Sequence, residues 1–376
     1  MAGDETVVTK AGKHTYGLER FFSSIHNRVV PGLSFFALSL INVRQGTSHP
    51  LLIEQIVREP NEKTPTKATK ATKAAKAAKT PVRRGRPKGS KNKDKTHIEW
   101  TPELRRLQRM GNQLLQLIGT LFPVTYLVLD GHFANNNVLQ VVRQQLQLHL
   151  ISKLRTDSAL FFPPPEHATM PPADKAAGRS PGAPRVYGAR VDYQNLPPEC
   201  CLSDTQDKDI RSQIYQANLV HGCFAQHLNV VILVKTHLKT GARAHVVLMS
   251  SDLSLEWELL VKYYRLRFQI EFNFRDAKQF WGLEDFMNTG QTPVTNAVHL
   301  AFFMVNVSKP LLGQLRQTHP LASILDLKAR WRAKRYVHAT LKCLTQKPEP
   351  FFIHAILHNV AQLGAIHPQK QTPLPV

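Results

Sequence analysis

The apolar positions of this chain form two kinds of pattern. "GLSFFALSLINV" (32–43) and "HPLLIEQIV" (49–57) are nearly continuous apolar runs behind the turn residues of "NRVVPG", and they predict two strands. In "TPELRRLQRMGNQLLQLIGTLF" (101–122), Leu104, Leu107, Met110, Leu114 and Leu117 recur at helical spacing, with Thr101 placed to cap the helix and Pro102 at its first position. "TYLVLDGHF" (125–133) reads as a buried strand ending on Asp130, "NNNVLQVVRQQLQ" (135–147) as a short helix and "LHLISKLR" (148–155) as another strand. That order predicts a parallel pairing inside an α/β sheet.

Farther on, "RVYGARVDY" (185–193), "FAQHLNVVILVKTHL" (224–238) and "ARAHVVLMSSD" (242–252) are strand-like, with "KTG" as a turn. One helix is expected from about Ser254 to Trp281. The remainder, to about Leu363, reads as helical with breaks near Pro310, Pro320 and "QKPEPF", before a loose tail, "HPQKQTPLPV".

Two stretches interrupt these patterns. Residues 161–185 are Pro-rich and read as an exposed loop. Residues 62–96, "EKTPTKATKATKAAKAAKTPVRRGRPKGSKNKDKT", carry thirteen Lys and Arg against one Asp between Lys63 and Lys95. Little there is larger than Ala or Val, so the segment cannot bury a core and is expected to be disordered. The chain therefore divides into a first part of a core (1–61), a basic linker (62–97), a second part of the core (98–157), a β-rich insertion (158–252), a helical part of the core (253–317) and a helical C-terminal region (318–376).

Composition narrows the class of partner. The 376 residues carry 49 Lys and Arg against 27 Asp and Glu, a formal charge of +22, which points to a polyanion and first to nucleic acid. At 42% hydrophobic the chain can also fill a sizeable core. Its four cysteines, Cys200, Cys201, Cys223 and Cys343, form no CxxC pair and read as reduced thiols, with no zinc set among them. "MAGDETVVTK" lacks a signal-peptide core, and no apolar run approaches the ~20 residues of a membrane span.

The strongest local signal is "YYRLRFQIEFNFRDAK" (263–278). At ~100° per residue, Tyr264, Arg267, Glu271, Arg275 and Lys278 share a stripe roughly 80° wide with aromatic shoulders. One reading is of simple ion pairs, since Arg267 and Arg275 lie four residues either side of Glu271. The other is of a metal-binding Glu271 among phosphate-holding cations, which needs further carboxylates. Asp130, at the carboxyl end of a buried strand, is a candidate, against the alternative of a helix cap or turn residue. Asp4, beside Glu5 in "DETVV", is a second, and N-terminal acids are ordinarily solvated. Two Asp and one Glu suit two-ion phosphoryl transfer by hard cations. No phosphate-cradling Gly loop offers rival chemistry.

The spacing of Tyr264, Arg267, Glu271 and Lys278 resembles the Tyr-Arg-Glu-Lys signature of bacterial insertion-sequence transposases with a DDE catalytic triad. "DETVVTKAGKHTYGLERFFS" is similar to the segment carrying that family's first catalytic Asp, here Asp4, and "LVLDGHFANNNVL" to the one carrying the second, here Asp130. Asp157, in "LRTDSAL", is a rival to Asp130 but lies in a polar loop. The resemblance implies an RNase H-like mixed sheet flanked by helices, with a β-rich insertion before the helix that carries the catalytic Glu. It implies Mg2+ (or Mn2+) held by Asp4, Asp130 and Glu271, and DNA phosphates met by Tyr264, Arg267 and Lys278, with Arg275 beside them. The activity implied is cutting of transposon ends and joining to target DNA. The double-stranded DNA partners would be those ends and the target, without a membrane, and synapsis of two ends would call for a homodimer on DNA. A bacterial cytoplasmic, nucleoid-associated location follows. Only Met1, Ala2 and Gly3 precede Asp4, so the resemblance also implies truncation of the strand that carries it and of an upstream helical domain. A non-catalytic remnant that only binds DNA is the competing expectation.

"RRGRPKGSKNK" (83–93) has a Gly-Arg-Pro core among cations and resembles an AT-hook. Arg83, Arg84, Arg86 and Lys88 are its DNA contacts, either inserted in an A·T-rich minor groove or held against the phosphates. Trp100, Trp257 and Trp281 read as core residues or as stacking partners for an unpaired base. His132 reads as an ordinary cleft histidine or as a proton-transfer partner of Asp130.

Overall fold

The computed structural model describes residues 1–23, 27–57, 94–164, 186–346 and 348–368. In chain order the strands and helices are β1 (Ala2–Thr9), β2 (Glu19–Ser23), β3 (Arg28–Asn42), β4 (Thr47–Ile56), α1 (Pro102–Ile118), β5 (Tyr126–Val128), α2 (Asn136–Gln140) and β6 (His149–Leu154). There follow β7 (Leu160–Phe161), β8 (Cys201–Asp207), β9 (Ile210–His221), β10 (Leu228–His237), β11 (Arg243–Ser250), α3 (Trp257–Arg267), α4 (Gln269–Trp281), α5 (Gln291–Thr318), α6 (Ile324–Cys343) and α7 (Pro350–Gln362). The protein is a mixed α/β molecule. The basic segment, with Arg83, Arg84, Arg86 and Lys88, lies outside the described residues, as do most of the Pro-rich loop and the end of the tail.

The chain divides into two compact units. The first comprises Met1–Glu5, Phe36–Thr47 and Ile56–Gln269. Its strands run in the order β3-β1-β5-β6-β11-β10-β9-β7, with β8 on β9. β1 with β5 and β5 with β6 are parallel, as the strand–helix–strand pattern predicts. Leu127, Leu150 and Ile151 are fully buried, which is why these strands read as continuous apolar runs. Thr101 caps α1 by accepting from the Leu104 amide, and Leu104, Leu107, Met110 and Leu114 form the buried face of that helix. A Cβ on Gly111 would fall 2.7 Å from a Leu146 methyl, so a larger residue there would make that side chain shift.

In this unit one pairing extends the sheet and two sequence expectations change. β11 bonds antiparallel to β6, pairing Val247 with Leu154, so the strands after residue 200 continue the sheet. β8 and β9 were not anticipated: "CLSDTQDKDIRSQIYQANLVH" is too polar to flag, because β8 is largely exposed. The strand expected at 185–193 reduces to one bridge, Arg190 with Phe161. Val186 and Tyr187 stay exposed there. Gly188 presses so close to the Phe162 and Pro163 carbonyls that a Cβ would fall 2.8 and 2.7 Å from them.

The second unit comprises Thr6–Phe35, Ser48–Gln55 and Ile270–Val376. Here β3 lies against β1, β2 and β4. α5 runs unbroken through Pro310, where a break was expected. Val298, Phe302 and Val305 before the proline and Leu312 and Leu315 after it are all buried. Burial of one stripe across Pro310 offsets the ~3 kcal/mol that an interior proline costs. The single helix expected over 254–281 is instead α3 and α4, because the Phe268 amide turns back to the Arg265 carbonyl (3.1 Å) and tightens the last turn of α3.

Candidate metal-binding pair and phosphate-facing cation

The first unit brings four of the expected residues together. Ala2 pairs with Val128 in the parallel β1–β5 ladder. Asp4 and Asp130 each lie two residues beyond that pair. Asp4 lies on β1 and Asp130 just past the end of β5, on adjacent strands that are only ~4.8 Å apart. Register thus brings two acids distant in sequence to neighbouring strands, near enough for the charge of Asp130 to act on Asp4.

Asp4 is held from both sides of its carboxylate. Its Oδ1 accepts from the Glu5 amide at 2.9 Å, and Arg267 Nη1, from the last turn of α3, donates to its Oδ2. Both side chains are largely buried, with 17% of Asp4 and 14% of Arg267 exposed. Burial pushes the Asp4 carboxyl above its usual range; Arg267 opposes that rise, and the charge of Asp130 adds to it. Arg267 in turn is held more firmly charged: burial disfavours the cation, but Asp4, Tyr264 and Asp130 more than offset it. The Tyr264 ring lies 5.8 Å from that guanidinium. Burial raises the Tyr264 hydroxyl pKa, with Arg267 pulling down and the two aspartates pulling up.

Asp130 combines the two roles left open for it. It follows β5 and caps a 3-10 turn, Gly131–Phe133, its Oδ1 accepting from the His132 amide at 3.0 Å. Its backbone carbonyl accepts from Ser152 Oγ at 2.6 Å, which fixes the residue against β6. Asp157 pairs with its neighbour Arg155 at 3.0 Å and is mostly exposed.

Around the pair lies a further charged group that the sequence did not assemble. His132 Nε2 meets Glu103 Oε1 at 3.1 Å. The hydrogen bond to Glu103 pushes the imidazole up to about 9; burial opposes this, while Glu103, Asp130 and Glu5 add to it. Glu5 is itself pushed up by burial and by Glu103, against His132 and Arg106. Glu103 faces outward from the first turn of α1, 29 residues before His132, so no spacing marks the pair in the sequence.

α4 carries the other expected residues, in the second unit. Glu271 is half-buried in its first turn. Arg275 bonds Asp276 Oδ1 through Nη2 at 2.9 Å and stacks on Phe272 at 4.8 Å. Lys278 Nζ donates to the Val7 carbonyl at 2.8 Å and lies 3.4 Å from Glu284. Arg275 thus bonds the adjacent acid. Trp281 packs beside Lys328 at 5.4 Å and Trp100 beside Arg105 at 5.8 Å. All four cysteines are free thiols.

The donor set fits a hard divalent cation. Two carboxylates whose charges oppose one another gain from a cation between them, and Mg2+ takes one or two carboxylates and completes its shell with water and phosphate oxygens. Among the described residues no group of three or more His, Cys, Asp or Glu side chains is gathered as metal ligands. The aspartate pair is therefore what this unit offers. Among the same residues, no helix is long and apolar enough to cross a membrane.

No curated protein matches the chain. The family described as DDE superfamily endonuclease matches residues 1–217, a span that includes Asp4 and Asp130 and ends before Tyr264 and Glu271. With more than half of its length matched around the two aspartates, the chain belongs to the DDE superfamily endonuclease family.

Proposed function

We propose that this protein is a Mg2+-dependent DNA endonuclease of the transposase type, cutting element ends and joining them to target DNA. The observation that carries this is the register-matched pair Asp4 and Asp130 with Arg267 beside it. β1 lies between β3 and β5, inside the sheet, which supports an RNase H-like core, since the resemblance gives the first catalytic Asp to a central strand. Membership of an endonuclease family and a net charge of +22 both favour DNA as the substrate.

Each residue has a role its chemistry suits. Asp4 and Asp130 hold the cation through their oxygens, and Glu271 is the third carboxylate on the strength of the signature. The cation, when bound, supplies an activated water and charge neutralisation at the scissile phosphate. Arg267 exchanges part of its bond to Asp4 for a phosphate oxygen, which its fork of donors suits. Tyr264, kept protonated by its buried setting, donates its hydroxyl to the same backbone. Lys278 and Arg275 contribute positive charge from α4. Arg83, Arg84, Arg86 and Lys88 hold the duplex through its phosphates or its minor groove, and two copies bring two ends together.

The test is cleavage of duplex DNA carrying the ends of the element, with Mg2+ or with chelator. Cleavage should need Mg2+ and vanish in Asp130→Asn and Glu271→Ala. A Glu271→Ala protein that cuts as fast as the parent removes Glu271 from the site. An Asp130→Asn protein that does so removes the proposal. Binding without cleavage under all conditions makes the protein a DNA-binding remnant.

A further inference from the structure

A polar network in the first unit lies away from the aspartate pair, at the opposite end of the strand that leads to Asp130. Tyr126 opens β5, and its hydroxyl donates to Asp252 Oδ2 at 2.6 Å, in the turn between β11 and α3. Asp252 Oδ1 accepts from the Ser254 amide (3.0 Å) and from Ser254 Oγ (2.7 Å). Burial would raise the Asp252 carboxyl, but the bonds from Tyr126 and Ser254 outweigh it and hold the group below its usual range. Burial and the bond to Asp252 push the Tyr126 hydroxyl well above its ordinary value, so it stays a donor.

The main chain of the same turn is gripped from the sheet. Asn229 of β10 is fully buried, and its Nδ2 donates to the Asp252 carbonyl (3.0 Å) and the Leu255 carbonyl (2.7 Å). Gln216 Nε2 of β9 donates to the same Leu255 carbonyl at 2.8 Å. Three strands thus fix the approach to α3.

α3 then runs between two anchors. The Tyr263 ring lies 5.3 Å from the Tyr126 ring, and in the last turn Arg267 donates to Asp4. Tyr263 and Arg267 are four residues apart, so they share a helix face. Ala2 pairs with Val128, so Tyr126 lies two positions before that pair and Asp4 two beyond it. The anchors therefore stand ~13 Å apart along two adjacent strands. One turn of helix covers ~6 Å of that span, and the long arginine side chain covers the rest. Contact with Tyr126 sets the roll of α3 about its axis, and the roll decides where Arg267 points, and Tyr264 with it.

We propose that Tyr126 and Asp252 are positioning residues, which set the place and roll of α3 and so aim Arg267 and Tyr264 at the scissile phosphate. The effect on cleavage rests on the endonuclease reading; the aim of Arg267 at Asp4 does not. Both residues act through α3 and neither is asked to touch DNA. Misplacing a phosphate-holding group by ~1 Å can slow a reaction by up to about 100-fold, so a hydroxyl far from the chemistry can govern the rate.

The experiment is a double-mutant cycle in the full chain, read in two ways. Tyr126→Phe keeps the ring and removes only the hydroxyl, and Arg267→Gln removes the group it aims. In single-turnover cleavage with Mg2+, Tyr126→Phe should slow the parent by about ten-fold and the Arg267→Gln protein by less than about two-fold. Asp252→Ala should match Tyr126→Phe, and Asp252→Asn, which keeps an oxygen for the hydroxyl, should restore most of the rate. A merely structural bond would slow both backgrounds equally. In urea unfolding, the loss of folding equilibrium constant caused by Tyr126→Phe should be at least about three-fold smaller in Arg267→Gln than in the parent. Equal losses in the two backgrounds in either measurement, or no loss in the parent, would overturn the proposal. Unfolding involves no cleavage, so a parent that cuts no DNA counts against the endonuclease reading alone and leaves the unfolding cycle to decide.

Discussion

Arg267 donates from Nη1 to Asp4 Oδ2 across 263 residues of sequence. The contact ties the end of α3 to β1 and supplies the charge that opposes burial of Asp4. Arg267→Gln should therefore cost up to about 3 kcal/mol of stability at neutral pH, because an acid is left buried without its partner. The sign with pH is fixed by the raised Asp4 carboxyl. The folded chain binds that proton more tightly than the unfolded chain, so the Asp4 contribution is most favourable at low pH and falls as pH rises through the folded value. The variant should lose more with rising pH than the parent does. Urea denaturation from pH 4 to pH 8 tests this, and a constant gap between the two proteins would count against it.

Mg2+ should raise the melting temperature of the parent, since a ligand that binds only the folded state stabilises it by mass action. Asp4→Asn and Asp130→Asn should abolish that rise and reduce cleavage by more than about 100-fold, the upper end of what loss of an outer-shell partner costs. Scanning fluorimetry with and without Mg2+ reads the first effect, and a gel the second. An unchanged Mg2+ response in Asp130→Asn would exclude it as a ligand.

The His132–Glu103 pair gives a second pH dependence, of opposite origin. The imidazole is pushed up to about 9 by its bond to Glu103. Its stabilising contribution is thus complete below the ordinary histidine value, about 6.5, and is lost as pH rises through about 9. Both side chains are exposed enough that the amount stays below about 1 kcal/mol. In Glu103→Gln the imidazole should titrate nearer its ordinary value, followed by the proton resonances of His132. An unmoved titration would mean that the pair does not form in solution.

Asp326 shows the reverse sign. Burial would raise its pKa, but bonds from His367 and Ser323 overcome that and leave the carboxyl well below its usual range. Its contribution is present above about pH 4, the unfolded value, and is lost as pH falls through the folded value. Asp326→Ala should cost about 2–3 kcal/mol at pH 7, because several buried donors lose their acceptor. The cost should shrink toward pH 2. A denaturation series that shows the same cost at both ends would refute this.

Deleting residues 62–97, which hold the basic segment, should weaken binding to any duplex and flatten its salt dependence, each lost phosphate contact removing about 0.9 from the slope. Filter binding at several salt concentrations is sufficient. A deletion that leaves the slope unchanged would show that this segment does not touch DNA.

Much of the molecule was legible in its sequence because the signals are local. The capped helix at 102–118 follows from Thr101, Pro102 and the period of its leucines. The parallel β5–β6 pair follows from two apolar runs separated by a short helical one. Asp4 and Asp130 were legible as acids on apolar strands, but what makes them a pair is the register of Ala2 with Val128, a hydrogen-bonding choice between segments more than a hundred residues apart.

Tertiary structure decided the rest. Arg267 reads in the sequence as a partner of Glu271 or a phosphate clamp, yet its guanidinium also bonds Asp4, because β1 delivers a buried carboxylate to the last turn of α3. Lys278 reads as a DNA contact, and its ammonium bonds the Val7 carbonyl. Glu103 meets His132 with no spacing to announce it. Pro310 reads as a break, and burial on both sides of it keeps α5 whole. Local propensity and period set where helices and strands begin, whereas the partner of a charge depends on which distant segment burial brings beside it.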